Sequence, residues 1–421
     1  MRRRRRGRRR RNHKKLFLIP VLFFLLLAGM AAGFFSNRYA KEKKNPAAEQ
    51  APVENIIKGS QTGVKLCLEQ KDLRDAEEAS RFLTQRPEVR GIYITGPMAG
   101  SASFDNLLAL VDETELNAMV VDVKNDQGEL TFKMDLKEAL DMGACVGYIQ
   151  DMPSFMAKLK EHGIYTIARI PCFKDPILAS GMPELALTRP DGTPVTDANG
   201  LAWVNPYKRG VWEYLVKIAK QAGELGFDEI QFDYVRFPIG ADADAADYGP
   251  EAAEYTREQA ICGFLAYAAE ELHKERLIVS ADVFGTIIGS KTDVETVGQD
   301  YGKIASIVDV VSPMVYPSHY ADGVFGLKVP DAQPYPAVLA AMQDSVVELE
   351  GVPEGTRAAV RPWLQAFTAV WVNGHIPYEG EQIREQIQAV YDAGYTEWLL
   401  WNASNRYVQD GLLPAADCNN E

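Results

Sequence analysis

Two aspartates sit where short apolar runs come to an end. Asp233 lies in Glu229-Ile-Gln-Phe-Asp-Tyr-Val, and Asp282 in Leu277-Ile-Val-Ser-Ala-Asp-Val. Asp122, Lys124, Arg169 and Arg361 occupy similar positions in other runs, and Tyr316, Trp363 and Trp401 add aromatic faces. A pair of carboxyl groups with unlike surroundings can divide the work of cleaving a glycosidic bond. One protonates the departing oxygen, and the other attacks or activates water. Aromatic faces stack on sugar rings, and planar polar side chains bind hydroxyls. The predicted catalytic pair is therefore Asp233 and Asp282. The predicted substrate contacts are Tyr93, Asp122, Lys124, Arg169, Arg236, Tyr316, His319, Trp363, Gln365, Trp401 and Asn402.

These residues need a scaffold that brings strand ends together. Eight apolar, β-branched segments read as strands: 91–95, 118–123, 165–170, 229–235, 277–283, 307–315, 359–365 and 397–402. Seven amphipathic stretches alternate with them: 104–112, 152–162, 208–225, 252–274, 292–305, 335–349 and 379–393. Parallel pairs need long crossovers, so this rhythm predicts an all-parallel sheet. Eight repeats close a barrel, and the predicted fold is an α/β (β/α)8 barrel over residues 88–410. An open doubly wound sheet is the rival, but no Gly-rich phosphate loop follows the first strand. Barrel enzymes carry their chemistry at the carboxyl ends of the strands. Alternation then puts Asp122 and Lys124 on one face, and Glu229, Gln231 and Asp233 on another. Asp233 and Asp282 lie on adjacent strands. Their carboxyl groups are expected roughly 5–7 Å apart, near the 5–5.5 Å typical of retaining glycosidases.

A second line of argument joins these segments. The runs Arg90-Gly91-Ile-Tyr93, Val-Val-Asp122-Val-Lys124, Gly226-Phe-Asp-Glu-Ile-Gln-Phe-Asp233-Tyr-Val-Arg236-Phe-Pro238, Ala281-Asp282-Val-Phe-Gly285 and Ser312-Pro313-Met314-Val-Tyr316-Pro317 resemble a bacterial family of barrel-fold glycosyl hydrolase domains. The resemblance covers about residues 88–405. It implies a barrel and hydrolysis of O-glycosyl bonds. By analogy with related barrel glycosidases it implies Asp233 as nucleophile and Asp282 as acid/base.

The rest of the chain bounds where such an enzyme works. Residues 1–15 hold nine Arg and two Lys and no acid, which leaves the remainder with 34 basic against 58 acidic residues. An acidic body repels phosphate backbones, so a nucleic-acid partner is disfavoured. Residues 16–35 carry no charge, a length that spans a bilayer as a helix. The basic tail before it is expected to stay cytoplasmic, with the barrel on the extracytoplasmic side. Cleavage near the small residues Ala28 to Ala32 would instead give a secreted protein. Residues 36–87 read as a polar linker and extension, with a short strand at 64–68 and a helix around 76–84.

Other functions fit less well. Five scattered cysteines, none in C-x-x-C, suggest neither a disulfide framework nor a zinc site. None of the five histidines pairs at H-x-x-x-H spacing, against a zinc hydrolase or deacetylase. No G-x-S-x-G follows a strand, against a serine hydrolase. Asp242, Asp244 and Asp247 have ligand types for calcium, but a solvated loop is the simpler reading. No cofactor is called for. The expected partners are a polysaccharide or oligosaccharide substrate and the membrane through the N-terminal helix. The alternative function is a non-catalytic carbohydrate-binding barrel at the cell surface.

Overall fold

The computed structural model describes residues 86–415. Strand and helix alternate as their hydrophobic periods require. The strands are β1 (Arg90–Ile94), β2 (Ala118–Asp122), β3 (Tyr165–Pro171), β4 (Glu229–Asp233), β5 (Ile278–Phe284), β6 (Val310–Met314), β7 (Ala359–Val360), β8 (Trp363–Gln365) and β9 (Trp398–Trp401). All their pairings are parallel, and the β5–β6 pairing closes the ring. Both β7 and β8 pair with β6. They are two pieces of one barrel strand, interrupted at Arg361-Pro362, where proline has no N–H to give a ladder. The result is a closed eight-strand parallel barrel with helices outside it.

The helices outside the barrel include α1 (Phe104–Glu113), α2 (Met152–Glu161), α3 (Arg209–Glu224), α4 (Arg257–His273), α5 (Lys291–Val297), α6 (Tyr301–Ala305), α7 (Pro334–Leu349) and α8 (Gly380–Asp392). Two depart from the sequence expectation for local reasons. The helix expected from residue 252 starts later, because Thr256 and Gln259 form a reciprocal capping box at its N-terminus. The helix expected over 292–305 is two helices. Gly298 ends the first at φ 78°, and a Cβ there would sit 2.8 Å from the Arg257 carbonyl oxygen. Only glycine satisfies both demands.

Apolar side chains are sorted by strand face. Ile92, Met119, Val121, Ala168, Ile230 and Phe232 pack outward against the helices. Val89, Tyr93, Ala118, Val120, Ile167, Tyr316, Trp363 and Leu399 fill the barrel itself. The amino-terminal end of the barrel is closed by charge. Arg361 and Glu229 form a fully buried ion pair, Ser280 donates to Glu229 at 2.5 Å, and Arg86 pairs with Glu397 at 2.6 Å. The floor is thus polar and internally paired.

The expected basic tail (1–15), membrane span (16–35) and nearly all of the 36–87 linker lie outside the described residues. Among the described residues no helix is long and apolar enough to cross a membrane.

Candidate active site

The register of the strands stacks the chemistry in two layers. Asp122 of β2, Arg169 of β3 and Gln231 of β4 are neighbours across the sheet. One layer nearer the mouth, β4 and β5 pair through Phe232 and Ala281, so Asp233 and Asp282 are the next residues on the two strands. Adjacent strands lie about 4.8 Å apart. Two carboxyl groups therefore stand side by side at the carboxyl ends of the strands.

Their surroundings differ. Arg169 donates to Asp233 Oδ2 from Nε at 2.9 Å and from Nη2 at 2.5 Å. Asp233 Oδ1 accepts the backbone N–H of Tyr234 at 2.5 Å. Asp282 is only 1% exposed and has no cation in hydrogen-bond contact among the described residues. Among the described residues its carboxyl accepts one hydrogen bond, from Trp363 Nε1 at 2.7 Å. Burial, reinforced by the negative charge of Asp233, pushes the Asp282 carboxyl well above the usual carboxylate range. A carboxyl whose protonated form is favoured, Asp282, beside an Arg-paired Asp233 is the division of labour that acid-assisted bond cleavage requires.

Beneath this pair Arg169 also donates to Asp122, from Nη1 at 2.6 Å. Asp122 accepts a second bond from the Tyr93 hydroxyl at 2.5 Å. Burial outweighs both donors and raises the Asp122 carboxyl to about 6. The Arg169 guanidinium lies against an aromatic pair, 5.4 Å from the Tyr93 ring and 5.1 Å from Trp401. Tyr93 and Trp401 stack at 4.0 Å, and Trp363 meets Trp401 edge-on. Arg169 is thus fixed by its bonds to Asp122 and Asp233, with the aromatic pair packed beside it.

Tyr316 is buried within the electrostatic reach of both Asp282 and Asp233. It packs edge-on against His319 at 5.0 Å and Phe367 at 5.9 Å. Burial lowers the His319 imidazole to about 4, so it is neutral around pH 7. Tyr93, Asp122, Arg169, Asp233, Asp282, Tyr316, His319, Trp363 and Trp401 are therefore brought together.

Three expected contacts are spent elsewhere. Lys124 is fully buried; it donates to the Pro171 carbonyl at 2.6 Å and pairs with Asp175 at 3.0 Å. It does not pair with Asp122, because β2 ends at Asp122 and the strand alternation that put them on one face ends there too. Gln365 binds Asp331 and the Phe367 carbonyl and accepts from the Ser318 backbone, tying loops together. Asn402 donates to the carbonyls of Ala366 and Arg406 and caps Ser404. Arg236 stands close to the carboxylates but takes a partner of a different kind, described below. In the acidic loop Asp242 pairs with Arg189.

Sequence reasoning missed the segment between β3 and α3. It folds back on itself through paired bridges such as Lys174–Trp203 and Ala186–Val204. It brings Trp203, and Lys174 with its partners Asp126 and Asp197, to the mouth. The available signal is length: over thirty residues follow a strand end there with Asp191-Gly192 and Asn199-Gly200 turns, and long loops at that position carry function.

Comparison with known proteins agrees with this fold. A family model described as "Putative glycosyl hydrolase domain" matches residues 91–407. A hypothetical protein from Ruminiclostridium thermocellum is 36% identical over 46% of this chain and 97% of its own, with a TM-score of 0.42. The glycoside hydrolase domain of PgaB (BpsB) from Bordetella bronchiseptica superposes with a TM-score of 0.54. It is 13% identical, over 75% of this chain and 94% of that one. No curated protein matches the chain.

Proposed function

This chain belongs to the family of putative glycosyl hydrolase domains, and from that premise we propose that it cleaves a cell-envelope or extracellular polysaccharide by a two-carboxylate mechanism. Asp282 is the acid that protonates the departing glycosidic oxygen. Asp233 is the carboxylate that attacks the anomeric carbon. Once the sugar has transferred to Asp233, the ionised Asp282 takes a proton from water, which releases the product and restores both groups. The observation that carries this reading is the register that sets Asp233 beside Asp282 in unlike environments. Arg169 aims Asp233, and Tyr93 and Asp122 keep Arg169 in place.

The charge pattern of residues 1–35 supports an anchored protein with its barrel outside the cytoplasm, where such polymers are found.

The test is release of reducing ends from wall and matrix polysaccharides by the full chain and by Asp233→Asn. The parent should release them, and the variant should lose at least about a hundredfold in rate, a few kcal/mol of barrier. Equal release by both would remove Asp233 from the reaction. Proton NMR of the first product then reads the anomer, and a retained configuration is expected if Asp233 is the nucleophile.

A further inference from the structure

Arg236 has the position of a partner for Asp233 but not the contact. Its guanidinium lies 4.7 Å from the Phe284 ring, 4.9 Å from Trp203 and 5.5 Å from Tyr234. Tyr234 directly follows Asp233, and Phe284 stands two residues after Asp282. The only acceptor it meets among the described residues is the Phe237 carbonyl, 2.9 Å from Nη1. A guanidinium has five N–H donors. The two carboxylates whose charge reaches it are already committed: Asp233 to Arg169 at 2.5 Å, and Asp197 to Lys174 at 3.0 Å. Arg236 is nonetheless 8% exposed, so it is largely withdrawn from water as well.

Such a group is costly to build. Burial of a charge without a counter-charge is unfavourable, and aromatic faces offset only part of that. Trp203 itself carries an indole N–H that is buried without an acceptor among the described residues. A bound anion would meet an unused planar fork of donors walled by three rings. We propose, resting on the hydrolase reading above, that Arg236 anchors an anionic substituent, a carboxylate or a sulfate, on a sugar unit bound beside Asp233 and Asp282. The substrate is then an acidic polysaccharide. Arg236 contributes affinity and placement, with no part in proton transfer.

The test uses the full chain and acidic glycans, uronate-bearing and sulfate-bearing, each beside its carboxyl-reduced or desulfated counterpart. Binding is measured by affinity electrophoresis, and cleavage by reducing ends. The parent should bind at least one acidic member about tenfold or more tighter than its neutral counterpart, which is 1.4 kcal/mol or more. The arm that shows the preference identifies carboxylate or sulfate. Arg236→Met should abolish the preference, and Arg236→Lys, a point charge without the fork, should keep part of it. Melting temperature is followed for both; if Arg236→Met does not fold, Arg236→Lys and the parent's own preference decide. Equal binding of acidic and neutral forms, retained preference in Arg236→Met, or binding of no acidic member would overturn the proposal. Acid-selective binding without cleavage would instead sink the hydrolase reading alone. Cleavage confined to neutral glycans would sink this proposal and leave hydrolysis standing.

Discussion

Arg169 places two of its hydrogen bonds on a single oxygen of Asp233, Oδ2, and none on the other. The free lone pairs of Oδ1 then belong to the reaction, apart from the one that meets the Tyr234 N–H. An ammonium cannot reproduce this planar grip. Arg169→Lys should keep the fold and the charge yet lower kcat/KM about a hundredfold, roughly 2.7 kcal/mol. Steady-state kinetics beside a thermal melt checks it; full activity in Arg169→Lys would show that the geometry of the grip is irrelevant.

The Trp363 hydrogen bond favours the ionised form of Asp282, although burial prevails. Trp363→Phe removes that bond, so the carboxyl should rise further. An acid must be protonated to work, so the alkaline limb of kcat/KM should move to higher pH. The shift should be roughly half to one unit, the worth of one hydrogen bond of about 1 kcal/mol. A limb that moves to lower pH would mean that Asp282 is not the acid.

Asp122 predicts a pH dependence of stability. Its folded value of about 6 lies above the ordinary value near 4. Between these values the folded chain holds a proton that the unfolded chain has released, so its contribution to stability falls as pH rises from about 4 to about 6. Asp122→Asn cannot titrate and should lack this decline. Melting temperatures of parent and variant at the two ends of the window decide; parallel declines would count against a raised Asp122.

The floor pair should behave as a unit. Arg361→Met strips Glu229 of its paired cation, and Glu229→Leu leaves Arg361 only Glu397, at 4.0 Å; each should cost about 3–5 kcal/mol in urea unfolding. Glu229→Leu combined with Arg361→Met should recover much of that loss. Additive losses in the double variant would argue that the two residues act independently.

Much of the scaffold was legible because burial on both faces makes barrel strands read as apolar runs, and β2, Ala-Met-Val-Val-Asp, is buried throughout. The side chains inside those runs, Asp122, Arg169, Asp233 and Asp282, follow the strand alternation and were found by it. Past a strand end the rule stops. Tyr234 takes a left-handed φ of 47° immediately after Asp233, which ends the run expected through Val235. Lys124, Gln365, Asn402 and Arg236 lie at or beyond such ends, where the partner is chosen by loops from distant parts of the chain. Arg361-Pro362 is the intermediate case: the strand was visible, but its break was not.

The Arg86–Glu397 pair fixes where the chain enters the barrel: at the floor, on the side opposite Asp233 and Asp282. If residues 16–35 sit in a bilayer, the tether pulls on the closed end of the barrel. An attachment at that end leaves the open mouth clear, so polymer can reach Asp233 and Asp282 without passing the point where the chain joins the barrel.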